Sequence, residues 1–246
     1  GRLAFTTDGF VVKPIFFPGG DIGKLAVSGT INDLTAAGAI PLFLSAGFVI
    51  EEGLEIEKLD QIAASMSQAC KMTGAKIVTG DTKVVEKGLV DGVCINTSGI
   101  GRVHECFNPR QITSGDEIIL TGTIAEHGTT ILLERYNLGL QSDIVSDCKP
   151  LSEIILALGD HIKYVKLMRD PTRGGIATSL CEISESHHIG ALIEEEKLQI
   201  RLSISAVHEL LGTDPLYFAS EGRMILVVQK GFGAELLDIL KNLESC

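Results

Sequence analysis

Four aspartates stand where apolar runs end or helices begin: Asp8 in "TTDGF", Asp33 in "TINDLTAAGA", Asp81 in "VTGDTKV" and Asp170 in "MRDPTRGGIA". Hard Mg²⁺ takes oxygen ligands and is held by one or two carboxylates together with nucleotide phosphates. Acids delivered by separate strand and helix ends could therefore assemble one such site. Taken singly, an aspartate beside glycine or threonine is more often a turn or cap residue. The stretch "RDPTRGGIA" (169–177) is more particular. Pro171 and the Gly174-Gly175 pair allow a tight turn into a helix whose first amides can receive phosphate, and Arg173 offers a bidentate fork for the same oxygens. An ordinary helix start with a solvated arginine is the alternative. Lys83 either counters a phosphate or sits on a sheet edge. Glu221 in "ASEGRM" is a candidate general base or a solvated turn acid. His127 in "AEHGTT" reads as a helix-start residue, and His187-His188 have no partner at metal-ligand spacing and read as surface residues.

Other phosphate cradles fail. "PGGDIGKL" holds Gly23-Lys24, but a P-loop needs Gly at 18 and Ser or Thr at 25, where the chain has Pro18 and Leu25. "SGIGRV" (98–103) lacks the third glycine of a dinucleotide fingerprint. With 32 acids against 21 bases, a net charge of -11 and no basic run, nucleic acid and anionic membrane surfaces are poor partners. The six cysteines contain no Cys-x-x-Cys, which suggests neither a disulfide framework nor a zinc knuckle and fits reduced thiols in a cytoplasmic protein.

The elements that must position these residues follow from pattern. Residues 3–17 read as a strand broken by "PGG", 21–39 as a helix capped by Asp21, and 41–50 as a buried strand. A helix over 55–75 closed by Gly74 and strands over 76–85 and 90–103 complete a first unit. "NPRQITSGD" (108–116) reads as a linker, placing a boundary near 105–113. Beyond it the pattern predicts a strand at 117–122, helices at 127–137 and 150–158, a strand at 164–170 and a helix at 174–187. A polar strand pair near 189–203, a helix at 205–211, a strand at 222–229 and a helix at 231–243 follow. The longest apolar run, 39–50, holds 12 residues, short of the ~20 a bilayer needs.

Taken in order, "TTDGFVVKPIFFPGGDIGKLAVSGTINDLTAAGAIPLFLS", "IVTGDTKVV", "GTIAEHGTTIL", "RDPTRGGIATSL" and "FASEGRM" resemble the HypE family of hydrogenase-maturation factors, in the aminoimidazole-ribonucleotide-synthetase-like ATP-binding superfamily. The resemblance covers nearly all 246 residues. It implies a two-domain PurM-like fold of α+β and α/β character: an N-terminal ATP-binding domain (1–107) with a mixed sheet and a dimerising strand layer, and a C-terminal α/β domain (108–246). It implies a homodimer and ATP-dependent dehydration of a C-terminal cysteine S-carboxamide to a thiocyanate, the source of cyanide for [NiFe] hydrogenase. The implied partners are a HypF carbamoyltransferase, which loads the cysteine, and a HypC–HypD complex, which receives the cyanide.

On that resemblance Asp8, Asp33 and Asp81 hold Mg²⁺, and Asn32, Thr82, Asp170, Gly174 and Gly175 join them in holding ATP. Lys83, Arg173 and Glu221 carry the chemistry, with Glu221 as base. The family's glycine-rich opening and its Pro-Arg-Ile-Cys ending have no counterpart here, so Cys246 in "NLESC" is not assigned as the modified cysteine and both ends read as trimmed. Two other readings stand beside this one: a sister enzyme such as the purine-pathway cycloligase or selenophosphate synthetase, and a non-catalytic docking module. A sugar-phosphate pocket marks the cycloligase and an N-terminal Cys or selenocysteine the synthetase, whereas a docking module needs no Mg²⁺ site.

Overall fold

A computed structural model describes residues 1–136 and 143–243. The first unit is built on a four-stranded mixed sheet ordered β1 (Leu3–Phe10), β6 (Val93–Val103), β4 (Ala39–Glu51) and β5 (Lys76–Val85). β1 and β4 run antiparallel to β6, and β4 runs parallel to β5. Strict alternation along β6 buries Val93, Ile95 and Thr97 while Asn96 and Ile100 stay exposed, so one face is core and the other is open.

The core face is covered by α1 (Ile22–Ala36) and α2 (Ile56–Thr73). Asp21 starts α1 as expected: its Oδ1 accepts from the Gly23 and Lys24 amides at 2.7 and 3.0 Å and from the Ser65 hydroxyl of α2 at 2.6 Å. Thus one carboxylate caps one helix and ties it to the next. Gly74 ends α2 in the left-handed conformation (φ 75°). Helix α1 approaches the sheet closely because Gly99 leaves room; a Cβ there would lie 2.9 Å from Thr30 and 3.0 Å from Leu34.

The second unit holds a three-stranded antiparallel sheet ordered β7 (Glu117–Leu120), β9 (Ile225–Val228) and β8 (Val165–Arg169). Around it lie α3 (Glu126–Tyr136), α4 (Glu153–Leu158), α5 (Gly175–His187), α6 (Leu202–Leu211) and α7 (Gly233–Leu240). Three buried clusters form the core, and the middle one is shared. Leu34, Ala39 and Val103 of the first unit, with Phe107 just after it, pack with Leu151, Met168 and Leu226 of the second. Among the described residues no helix is long and apolar enough to cross a membrane.

Three expectations change. The strand read over 3–17 ends at Phe10; a separate two-stranded ribbon, β2 (Phe16–Phe17) with β3 (Gly20–Asp21), carries the rest. The strand pair over 189–203 is absent: residues 189–201 are irregular except for a 3₁₀ turn at Glu195–Lys197, residues 202 and 203 belong to α6, and Leu192 is 90% exposed. Alternating apolar residues mark a strand only where a neighbour supplies the ladder, and none does here. Helix α6 begins at Leu202, three residues ahead of expectation. The predicted end of α3 at 137 and the assignment of Cys246 fall outside the described residues.

Candidate active site

Four carboxylates from four elements converge on a cleft of about 1130 Å³ between the two units. Asp8 arrives near the end of β1, Asp33 from the last turns of α1, Asp170 just past β8, and Glu221 from the loop before β9. The Thr6 hydroxyl donates to Asp33 Oδ2 at 2.8 Å, and Asp8 Oδ1 accepts from the Gly9 amide at 2.7 Å. Alternation places Thr6, Asp8 and Phe10 on the face of β1 that meets α1, which is why strand and helix deliver their acids to one place. The lining of the same cleft includes Arg135, Arg169 and Arg173; Arg169 is paired with Glu182 and Arg135 donates to the Lys13 carbonyl.

The acids are crowded enough to perturb one another. Burial, then the charge of Asp33, pushes Asp170 up to about 6. Burial raises Glu221 well above the usual carboxylate range, with Asp170, Asp147, Asp8 and Asp33 adding to it. Asp33 is raised by burial against the lowering bond from Thr6, and Asp8 raises it further. Desolvated like charges within one cleft favour protonation or capture of a cation. An all-oxygen donor set of this kind suits a hard divalent ion such as Mg²⁺, so the residues present fit that group.

A supporting layer holds the cleft in shape. Asp147, nearly buried, accepts from the backbone amides of His127 (3.1 Å), Glu221 (3.2 Å) and Gly222 (3.2 Å). One carboxylate thereby fixes both the start of α3 and the loop bearing Glu221. Arg223 donates to Glu126 Oε2 at 2.7 Å and to the Thr123 carbonyl at 2.7 Å, closing the same corner. His127 starts α3 as expected, but it also lines the cleft, edge-on to Phe17 with Nδ1 2.8 Å from the Ser146 hydroxyl. Burial lowers its imidazole to about 4, so it is neutral at physiological pH. Asp147 sits in "SDCK" with no turn or cap signature, so nothing in the sequence marked it.

Of the residues singled out earlier, Asp8, Asp33, Asp170, Arg173 and Glu221 meet in the cleft. Asn32 does not serve there. Its Nδ2 donates to the Lys149 and Glu221 carbonyls at 3.1 and 3.0 Å and its Oδ1 accepts from the Leu151 amide at 2.9 Å. Both ends of its amide are committed to backbone, making it a staple between α1 and the second unit. Gly175 is likewise structural: its N–H donates to the Thr172 carbonyl at 3.1 Å, and a Cβ would stand 2.4 Å from the Leu216 carbonyl. With φ of 70° and 61°, Gly174 and Gly175 shape the turn that presents Arg173.

Asp81, Thr82 and Lys83 lie elsewhere in this chain. They sit on β5, at the opposite edge of the sheet from β1, roughly three strand spacings or ~14 Å away. The register pairs Asp81 with Gly47 and Lys83 with Val49, positions that face away from α1. One chain therefore does not bring Asp81 to Asp8 and Asp33.

An acid-lined cleft between a mixed sheet and a second α/β unit defines a class. The model for the AIR synthase related protein, N-terminal domain, matches residues 1–103, and that for the C-terminal domain matches 113–245. The chain belongs to the AIR synthase related family, within its HypE carbamoyl dehydratase group of hydrogenase maturation. It is 48% identical over 234 residues to carbamoyl dehydratase HypE of Rhizobium leguminosarum bv. viciae, covering 93% of this chain and 66% of that protein. It is thus similar to about two thirds of that relative's length. Two solved structures are similar: a HypE–HypF complex (TM-score 0.96, 47% identity, 99% of this chain and 80% of that one) and HypE in complex with ATP (0.92, 41%, 98% and 73%).

Proposed function

We propose that the cleft binds Mg²⁺-ATP and drives dehydration of a cysteine S-carboxamide, borne on the tail of the full protein, to a thiocyanate that supplies cyanide to [NiFe] hydrogenase. The observation that carries this reading is the meeting of Asp8, Asp33, Asp170 and Glu221 in a cleft that Arg173 also lines. An amide oxygen is a poor leaving group. Phosphoryl transfer from ATP makes it a phosphate ester, and loss of protons from nitrogen expels phosphate and leaves the nitrile, so the net change is R–S–CO–NH₂ to R–S–CN with ATP taking up the water. Bound Mg²⁺ would neutralise charge on the transferring phosphoryl group.

Asp8, Asp33 and Asp170 are the residues of this chain that would hold the ion, and Arg173 is placed to bind phosphate oxygens bidentately. Glu221 is the base. Burial and its acidic neighbours push its carboxyl well above the usual carboxylate range, and neutralising those neighbours lowers it again, readying it to accept a proton from nitrogen.

Asp81, Thr82 and Lys83 enter from a second copy. The open face of the first sheet exposes Leu3, Phe5, Phe43 and Ile100, an apolar surface suited to a homodimer in which the partner's β5 edge meets this chain's β1 edge. Lys83 of that copy then offsets charge in the transition state and Asp81 completes the ion's ligands. The division into domains 1–107 and 108–246, the cytoplasmic location and the partners HypF and HypC–HypD belong to the same proposal; the HypE–HypF complex of a similar protein supports HypF.

The test is to join the chain to the family's full tail, carbamoylate its terminal cysteine and follow the mass of the tail peptide with ATP. Loss of one water is expected. An unchanged mass in a folded, ATP-bound protein overturns the reading.

A further inference from the structure

Away from the cleft, His104, Cys106 and Asp160 hold a nitrogen, a sulfur and a carboxylate oxygen all within 4.8 Å of one another, and they form the one such cluster among the described residues. We propose that this triangle is a binding site for a borderline divalent metal of the Zn²⁺ class, clipping the segment between the two units to the second unit. It is independent of the ATP site.

The backbone builds the site before any ion arrives. The His104 amide donates to the Gly38 carbonyl at 2.9 Å, and its carbonyl accepts from the Phe107 amide at 3.0 Å, closing a tight turn directly after β6. Phe107 is 1% exposed and anchors that turn in the shared core. Between these fixed points the Cys106 amide donates to His104 Nδ1 at 3.3 Å, which keeps the ring against the turn until an ion takes the imidazole lone pair and displaces that contact. Asp160 comes from the 3₁₀ helix Gly159–Tyr164 of the second unit, and the Cys106 thiol donates to its Oδ1 at 3.4 Å.

That thiol proton marks the ligand direction. An ion seated in the triangle takes its place, the proton leaves to solvent, and thiolate, imidazole and carboxylate supply three of four tetrahedral positions, with water as the fourth. A mixed N, S, O set selects Zn²⁺ or Co²⁺ over Mg²⁺, which takes only oxygen. The three groups keep contact with solvent, so an ion has a path in.

The experiment titrates the purified chain with Zn²⁺ alone by calorimetry and with Co²⁺ alone by absorption. One equivalent of Zn²⁺ is expected. Co²⁺ should give a thiolate-to-cobalt charge-transfer band with tetrahedral visible bands, a signature the cleft cannot produce because no cysteine lines it. Cys106→Ser should abolish the charge-transfer band, and both it and Asp160→Asn should weaken Zn²⁺ by at least about tenfold. Cys181→Ser, an exposed cysteine elsewhere, should leave both readouts unchanged. Saturating Zn²⁺ should raise Tm in the wild type and not in Cys106→Ser. Absence of the charge-transfer band in the wild type, or its survival in Cys106→Ser, overturns the proposal.

Discussion

Asp170 shows how the cleft holds a crowded acid at a cost in stability. Its carboxyl has an ordinary value of 3.8 in the unfolded chain and is raised to about 6 in the folded one. Between these values the native state binds more protons, so stability from this group is full below about pH 4 and falls as pH rises through 6. At pH 7.5 the ligand-free protein therefore carries an ionised, crowded acid that opposes folding. Asp170→Asn removes that charge without changing shape. It should raise stability at pH 7.5 by about 1–2 kcal/mol in urea unfolding, lose the gain near pH 4, and abolish ATP turnover. Equal unfolding curves for variant and wild type at pH 7.5 would show that Asp170 is well solvated. Burial, and then the four acids that face it, oppose ionisation of Glu221 in the same direction.

Between residues and whole chain, the loop Ser220–Gly222 is the element on which the proposed chemistry turns. Asp147 receives two of its amides, the Ser220 amide donates to the Pro171 carbonyl at 3.0 Å, and Asn32 holds the Glu221 carbonyl. Gly222 lets the loop lie flat on Asp147; a Cβ there would stand 1.9 Å from the Asp147 carbonyl. Gly222→Ala must move the loop, and since a 1 Å displacement of a reacting group costs on the order of 10²-fold, kcat should fall by about that much. Stability should drop by about 1–3 kcal/mol, the ordinary cost of overpacking. Near-normal kcat would mean that Glu221 is not the base. Much of this scale was legible in the sequence: Asp21 as a cap, Gly74 as a helix end, Pro171 and the glycine pair as a turn into α5. Those features are local, carried by a few neighbouring residues. What was not legible depends on contacts distant in the chain. Asn32 reads as a ligand until its partners at 149, 151 and 221 are known, and Asp147 carries no local signature. His104 and Cys106 become a metal-binding pair only when Asp160 is folded against them. The strand pair over 189–203 fails for the converse reason, since its local pattern has no distant partner.

For the whole molecule, the shared core of Leu34, Val103, Phe107 and Leu226 sets the two units around one cleft, yet the sheet that forms half of it is covered on one face only. Asp33 lies on the covered side of the sheet, and Asp81 lies on the open side at the far edge. If both serve one ATP, they must come from different chains, and a mixture of two dead variants separates that arrangement from a single-chain site. Asp33→Asn and Asp81→Asn should each be inactive as homodimers, with their folds intact. In a mixed dimer one site collects both changes and the other collects neither. Random pairing makes half the dimers mixed, so co-expression should restore about a quarter of wild-type ATP turnover. A population that sediments as dimers and recovers nothing would place every working residue within one chain, and Asp81 would then be an edge-strand residue with no part in catalysis.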